Sequence, residues 1–341
     1  SSPLALMPAA TPAARKPCAA VTLTDAVPAT PSTVAVSISA GVAQIVSAFP
    51  ALLPYRVEIA LAVIVFITIV NLRGVKESGV LFSIPTYFFL VVMGITLIVG
   101  FVRYFSGTLP QLPGTIEVEV HHAGELQALS LFLILRAFSS GCTALTGIEA
   151  ISNGITAFKD PKSRNAATTL LWMSTILITL FLGITFLAHE FGIRNADEIS
   201  VPAQIADTVF GKTPPFYVIQ AATALILLLA ANTSYADFPR LGSILARDKF
   251  LPHQFTFRGD RLAFSNGIIV LGISSALLLI FFDADVDNLI PLYAFGVFVS
   301  FTLSQGGMVV HCVRLREPGW RRSALISGMG ASATAVVAVI V

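Results

Sequence analysis

The sequence predicts an all-helical membrane protein that crosses the bilayer many times, and three observations carry that prediction. Of 341 residues, 55% are hydrophobic and only 12% charged, with a mean hydropathy of +0.82. A soluble domain carries about 25% charged residues, so this chain cannot clothe a water-exposed surface of its size. After a leader of different character, apolar segments recur at close to the ~20 residues that a helix needs to cross a hydrocarbon core. The charges between those segments then alternate in kind along the chain.

Residues 1–33 are rich in Ala, Pro and Thr and hold no long apolar run. They are expected to be an irregular leader. The opening "SSPLALMPAA" is not a signal peptide, because no basic region precedes it and its prolines oppose a helix. Residues 34–341 read as one transmembrane domain. Its candidate spans are 34–53, 57–72, 80–104, 126–158, 166–191, 216–238, 263–282, 289–313 and 323–341. The second is short, and the last runs to the final residue with no polar flank.

The connections set the orientation. One set holds Arg73 and Lys76; Lys159, Lys162 and Arg164; Arg240, Arg247, Lys249, Arg258 and Arg261; and Arg314, Arg316, Arg321 and Arg322. The opposite set holds only Arg56, Arg103, Arg194 and Lys212, together with acids such as Glu117, Asp197, Asp283, Asp285 and Asp287. By the positive-inside rule the basic loops are cytoplasmic. A missed span would invert the alternation downstream, so its consistency supports the assignment of spans.

Several chemistries find no support in the chain. Cys18, Cys142 and Cys312 are far apart, and no CxxC, HExxH, GxGxxG or GxSxG occurs. His189-Glu190 lacks the second histidine of a zinc motif. No nucleophile–base pair is visible in the spans, so no enzyme is expected. A repeated filter loop, as a passive channel would show, is also absent.

The fourth span is the one that lipid explains worst. Its 33 residues would run to about 50 Å as one helix, against a core of about 30 Å. Within it, "SSGCTALTGIEA" (139–150) brings together two glycines, four hydroxyls and Glu149. Gly141 and Gly147 mark where a helix breaks most easily, and the hydroxyls can take over freed backbone partners. A helix broken near the midplane is how secondary transporters build ion and substrate sites. Glu149 lies one turn after Thr146 on the same face, and an acid in a span is a functional hypothesis by default, here a proton carrier or cation partner. The plainer reading places Glu149 at the cytoplasmic end, solvated beside the Lys159–Arg164 loop. Arg136, on the outer half, reads equally as a gate or as a side chain snorkelling to the interface.

Other polar groups have two readings as well. Thr33 and Ser37 open the first span as i, i+4 neighbours, with Ser39 and Gln44 following. They can offer oxygens to a hard cation, or simply pack helices. Asn232, Thr233, Ser234, Tyr235 and Asp237 crowd the expected end of the sixth span, before Pro239. They read as ion ligands or as a helix end satisfied by its own side chains. Tyr293, next to Pro291, is a site residue or an interfacial anchor.

Taken together, "TALTGIEAISN", "NTSYADFPRLGSILARDKFLP" and "LIPLYAFGVFVSFTLSQ" resemble the amino acid–polyamine–organocation superfamily of permeases, closest to its branch of bacterial proton-coupled potassium importers. The resemblance runs from about Thr33 to Val341. It implies a LeuT-type fold of inverted repeats, with the nine spans matching family helices three to eleven and residues 126–158 the second broken helix. It implies an ion site containing Thr146, Glu149, Thr33, Ser37 and Tyr293, holding K+ and no transition metal. It further implies H+ as coupling ion with no other cofactor, K+ or a small amino acid as substrate, and residence in the inner membrane of a bacterium. A second copy of the chain is the expected assembly, and nucleic acid is not an expected partner. One departure stands out: four extra residues separate "LTD" (23–25) from "TVAVS", so Ala29 falls where the family's site aspartate belongs. On this map the first two family helices and the twelfth are not in the chain, and residues 1–33 are not family sequence. The chain alone is then expected to be inactive. The alternative is a non-transporting sensor or a truncated product.

Overall fold

The computed structural model describes residues 16–73, 79–107, 133–134, 137–138, 141, 158–193, 199–256, 265–316 and 319–340, and for 16–29 and 79–81 only the backbone. Nine α-helices are defined in it: α1 (Lys16–Ala48), α2 (Arg56–Leu72), α3 (Gly79–Phe105), α4 (Lys162–Glu190), α5 (Val201–Phe210), α6 (Pro214–Arg247), α7 (Ser265–Phe281), α8 (Val286–Leu315) and α9 (Trp320–Ile340). Seven of the described helices are long and apolar enough to cross a membrane, and the shorter α7 is equally apolar. Eight expected spans are therefore present as helices. The remaining one, 126–158, lies almost wholly outside the described residues.

The boundaries correct the expectations in four places. The segment expected to be irregular is helical from Lys16, continuous with the first span. Pro17 falls in the first turn, where a missing N–H costs nothing, and alanines supply helix propensity through much of the rest. That first helix stops at Ala48 and gives way to a 3-10 turn over Pro50–Tyr55, since Pro50 cannot continue the ladder. The helix expected to end at 238 runs on through Pro239 to Arg247. Pro239 is tolerated because Gly267 of α7 leaves room for its ring: a Cβ there would lie 2.9 Å from Pro239 Cβ. The fourth difference is α5, too short to span a bilayer, which has no counterpart among the sequence expectations.

At the centre stands α1, packed against α6, α7 and α8. Its residues Val34, Ala35, Ile38 and Val42 form the main core with Ile64 and Ile67 of α2, Tyr235 and Phe238 of α6, and Leu271 of α7. Burial in lipid gives helices little hydrophobic reason to associate, so close steric fit must supply it. The α3–α4 interface shows this fit twice, in reciprocal form. Leu187 of α4 lies over Gly100 of α3, and Leu97 of α3 lies over Gly183 of α4, with added Cβ atoms falling 2.7 and 2.9 Å from the leucine methyls. Elsewhere α4 is largely exposed, and the hydroxyls of Thr168, Thr175 and Thr179 bond carbonyls one turn back, which lets them face lipid without orphaned donors. Antiparallel to α8 runs α9, with Phe298 beside Val337, Thr302 bonded to Thr334 at 2.9 Å, and Gln305 against Gly330.

Helix α5 is strapped across the outer side. Ser200 caps it, accepting from Ala203 N–H at 3.3 Å while donating to Gln44 Oε1 of α1 at 3.0 Å. The Ser200 N–H donates to Ser47 of α1 at 3.2 Å. At the other end Arg103 of α3 donates to the Val209 carbonyl, and Gly211 takes the left-handed φ of 66° that ends the helix. A short helix is thus held between α1 and α3 by side chains at both termini.

Candidate functional site

Each side of α1 has its own partner, and this partition decides what the candidate residues can do. Gly41 faces α6, where Leu228 and Leu227 approach it. Pro31 faces α7, its carbonyl accepting from the Ser275 hydroxyl at 3.1 Å. Val36 faces α8, packing with Phe301 against Tyr293 and Val297. Thr33 and Ser37 lie roughly 60° and 100° round α1 from Val36, between the side turned to α8 and the side turned to α6. Both are half-buried, and Tyr293 is 9% exposed. Tyr293 is seven residues into α8, roughly 10 Å from its outer end at 1.5 Å per residue. It is an interhelical residue, and the anchor reading drops out. The Tyr293 phenol thus lies at the α1–α8 interface, and the Thr33 and Ser37 hydroxyls of α1 are neutral oxygens of the kind hard cations take as ligands.

The other half of the expected site is not on view. Thr146, Glu149, Gly147 and Arg136 lie outside the described residues. Gly141 has helical backbone, is exposed, and has open space where a Cβ would stand.

Toward the outside, Ser39 donates to the Ala284 carbonyl at the corner joining α7 to α8. Asp283 and Ala284 both hold a left-handed φ of 52°, which disfavours residues with a Cβ. Just beyond, Asp285 caps α8 through the Asp287 N–H at 3.0 Å and the Asn288 amide at 2.8 Å. A cavity of about 370 Å³ opens here, lined by Ser39, Gln44, Arg56, Ser200, Asp285 and Asp287 among others. Two members of the acidic run at 283–287 thereby border a cavity that leads along α1. Sequence reasoning noted the acids and the polar residues of α1 separately and had no means to join them, because their contact spans more than two hundred residues.

Toward the cytoplasm two residues of the polar cluster of α6 bond across to α2. Asn71 of α2 donates to Asn232 Oδ1 at 2.8 Å and to the Ile67 carbonyl at 2.9 Å. Thr68 and Tyr235 share a hydrogen bond of 3.0 Å. Asn232 and Tyr235 thus lie inside a continuous helix and bond to α2, where the sequence offered ion ligands or a helix end satisfied by its own side chains. One further residue escaped the sequence reading. Gln220 of α6 is 2% exposed, and neither its amide nitrogen nor its oxygen has a hydrogen-bond partner among the described residues. The only signal was a lone amide in the run "FYVIQAATALILLLAA".

The comparison with known proteins follows from this architecture. The family model described as amino acid permease matches residues 8–341. The chain belongs to the amino acid permease family. It is an integral membrane protein with the family's all-helical, polytopic architecture, as the sequence predicts. Among curated permease relatives, the potassium transporter KimA of Bacillus subtilis (strain 168) is 48% identical over 302 residues. That similarity covers 88% of this permease and 49% of the relative, so the chain spans about half the length of the protein it matches.

Proposed function

We propose that this permease chain forms part of a proton-coupled K+ importer working by alternating access, with its ion site at the α1–α8 interface. The observation that carries the reading is the 48% identity to a potassium transporter across 302 residues. The same similarity favours a transporter over a non-transporting sensor. Alternating access needs a rigid bundle that rocks against a second one around a fixed site. The α2–α6–α7 contacts, tied by Asn71–Asn232 and Thr68–Tyr235, supply rigidity on one side of α1. In this scheme Thr33 and Ser37 replace part of the ion's hydration shell, Thr146 adds an oxygen from the facing helix, and Glu149 carries the proton or balances the cation.

The family's own description, amino acid permease, sustains one second reading: a small amino acid as substrate. The two readings separate physically. An amino acid needs an anion partner for its ammonium and helix amides for its carboxylate, whereas K+ needs neutral oxygens alone. The test is growth of a bacterium lacking its own K+ uptake, on limiting potassium, with the whole importer of which this chain is part expressed. Rescue that is lost in Glu149→Gln supports the proposal. Failure to rescue while labelled amino acids are taken up would replace it with the second reading.

A further inference from the structure

We propose that the cytoplasmic turn between α8 and α9 is a binding site for an anionic phospholipid. Helix α8 ends at Leu315 and α9 begins at Trp320, so two membrane spans meet in four residues. Arg314, Arg316, Arg321 and Arg322 crowd this turn and are all exposed. None of the four guanidinium groups forms an ion pair among the described residues; Glu317, the one acid of the turn, lies outside them. Four arginines against one acid give the turn a net positive charge at the membrane boundary.

Its geometry is more specific than its charge. Arg316 takes a left-handed backbone (φ 48°) that caps α8 through Cys312. That conformation brings its guanidinium to 5.9 Å from the Trp320 ring, while Arg321 lies 5.6 Å from the same ring. A guanidinium held over an indole keeps its N–H edge free, and that edge matches a phosphate in bidentate fashion. Tryptophan itself favours the headgroup layer. The other basic connections contain no tryptophan.

The adjoining surface suits the rest of a lipid. Arg322 shares a helical face with Leu325, Ile326 and Met329, which are 64%, 61% and 59% exposed. A phosphate at Arg322 would lay its acyl chains along this stripe toward the bilayer centre. The loop charges put the turn on the cytoplasmic side, the leaflet in which anionic lipids supply the attraction for clustered arginines. Charge, ring and apolar stripe together fit an anionic glycerophospholipid.

The test uses Trp172→Phe protein, leaving Trp320 as the sole tryptophan, in phosphatidylcholine vesicles. A minor fraction of either brominated phosphatidylglycerol or brominated phosphatidylcholine is added, and Trp320 fluorescence quenching is read. The expected result is selective quenching by the phosphatidylglycerol, with a preference of about five-fold for each arginine engaged at low salt. That preference falls to parity in R316Q/R321Q/R322Q. Equal quenching by the two lipids overturns the proposal, as does a preference that survives the triple variant. Loss of the preference on adding inorganic phosphate would assign the site to a free anion and overturn it too. Native mass spectrometry of the unsubstituted chain checks the same claim should Trp172→Phe fold poorly: retained phosphatidylglycerol in excess of phosphatidylcholine supports it, and equal retention does not.

Discussion

Single side chains between helices carry stability that lipid cannot. Asn71 illustrates the point: its amide reaches both Asn232 and the Ile67 carbonyl. Asn71→Ala removes both hydrogen bonds at once, one of them between helices, and is expected to cost about 1–2 kcal/mol. Tyr235→Phe removes a single hydrogen bond to Thr68 and should cost only about 0.6 kcal/mol, the typical interhelical value in membranes. Thermal unfolding in one detergent, with the three proteins side by side, checks the order. Gly272→Ala belongs with them. Its Cβ would lie 2.8 Å from Thr68 Oγ1 and push that hydroxyl off Tyr235, for an expected loss of about 1–3 kcal/mol by overpacking. The polar residues of these pairs were visible in the sequence. Their partners were not, because Asn71 and Asn232 lie 161 positions apart and no local pattern links them.

At the scale of an element, α5 makes the sharpest prediction. Ser200 and Arg103 hold opposite ends of it, so Ser200→Ala and Arg103→Ala should each loosen it by about 1 kcal/mol, through loss of a cap and of a cation at a helix C-terminus. Hydrogen exchange across Val201–Phe210 should quicken in both variants while α6 and α8 stay protected. Equal quickening in all three helices would mean the strap is part of the core. The long apolar helices were legible because apolar length alone specifies a span. The strap was not, since ten residues of mixed polarity in a loop carry too weak a signal. Pro239 misled for a related reason. Proline reads locally as a stop, and only Gly267 on another helix shows why the chain continues.

On the scale of the molecule, the fold class, the orientation and the family follow from hydropathy, loop charge and three sequence motifs. The site follows only in part. Thr33 and Ser37 could be paired from their spacing, yet that Tyr293 packs against α1 depends on the α1–α8 contact, which a sequence does not state. If that interface binds the ion, Thr33→Val with Ser37→Ala should weaken transport without unfolding the protein, because each change keeps volume nearly constant and removes only oxygens. The most direct test of the whole account is rubidium tracer flux into vesicles holding the whole importer of which this chain is part, with an imposed inward proton gradient. The account predicts uptake that follows the gradient, is competed by K+ and not by amino acids, and falls at least about ten-fold in the double variant, an oxygen-ligand loss worth some 1.4 kcal/mol. Gradient-driven uptake that is unchanged in the double variant, or that is competed by an amino acid instead of K+, would contradict it.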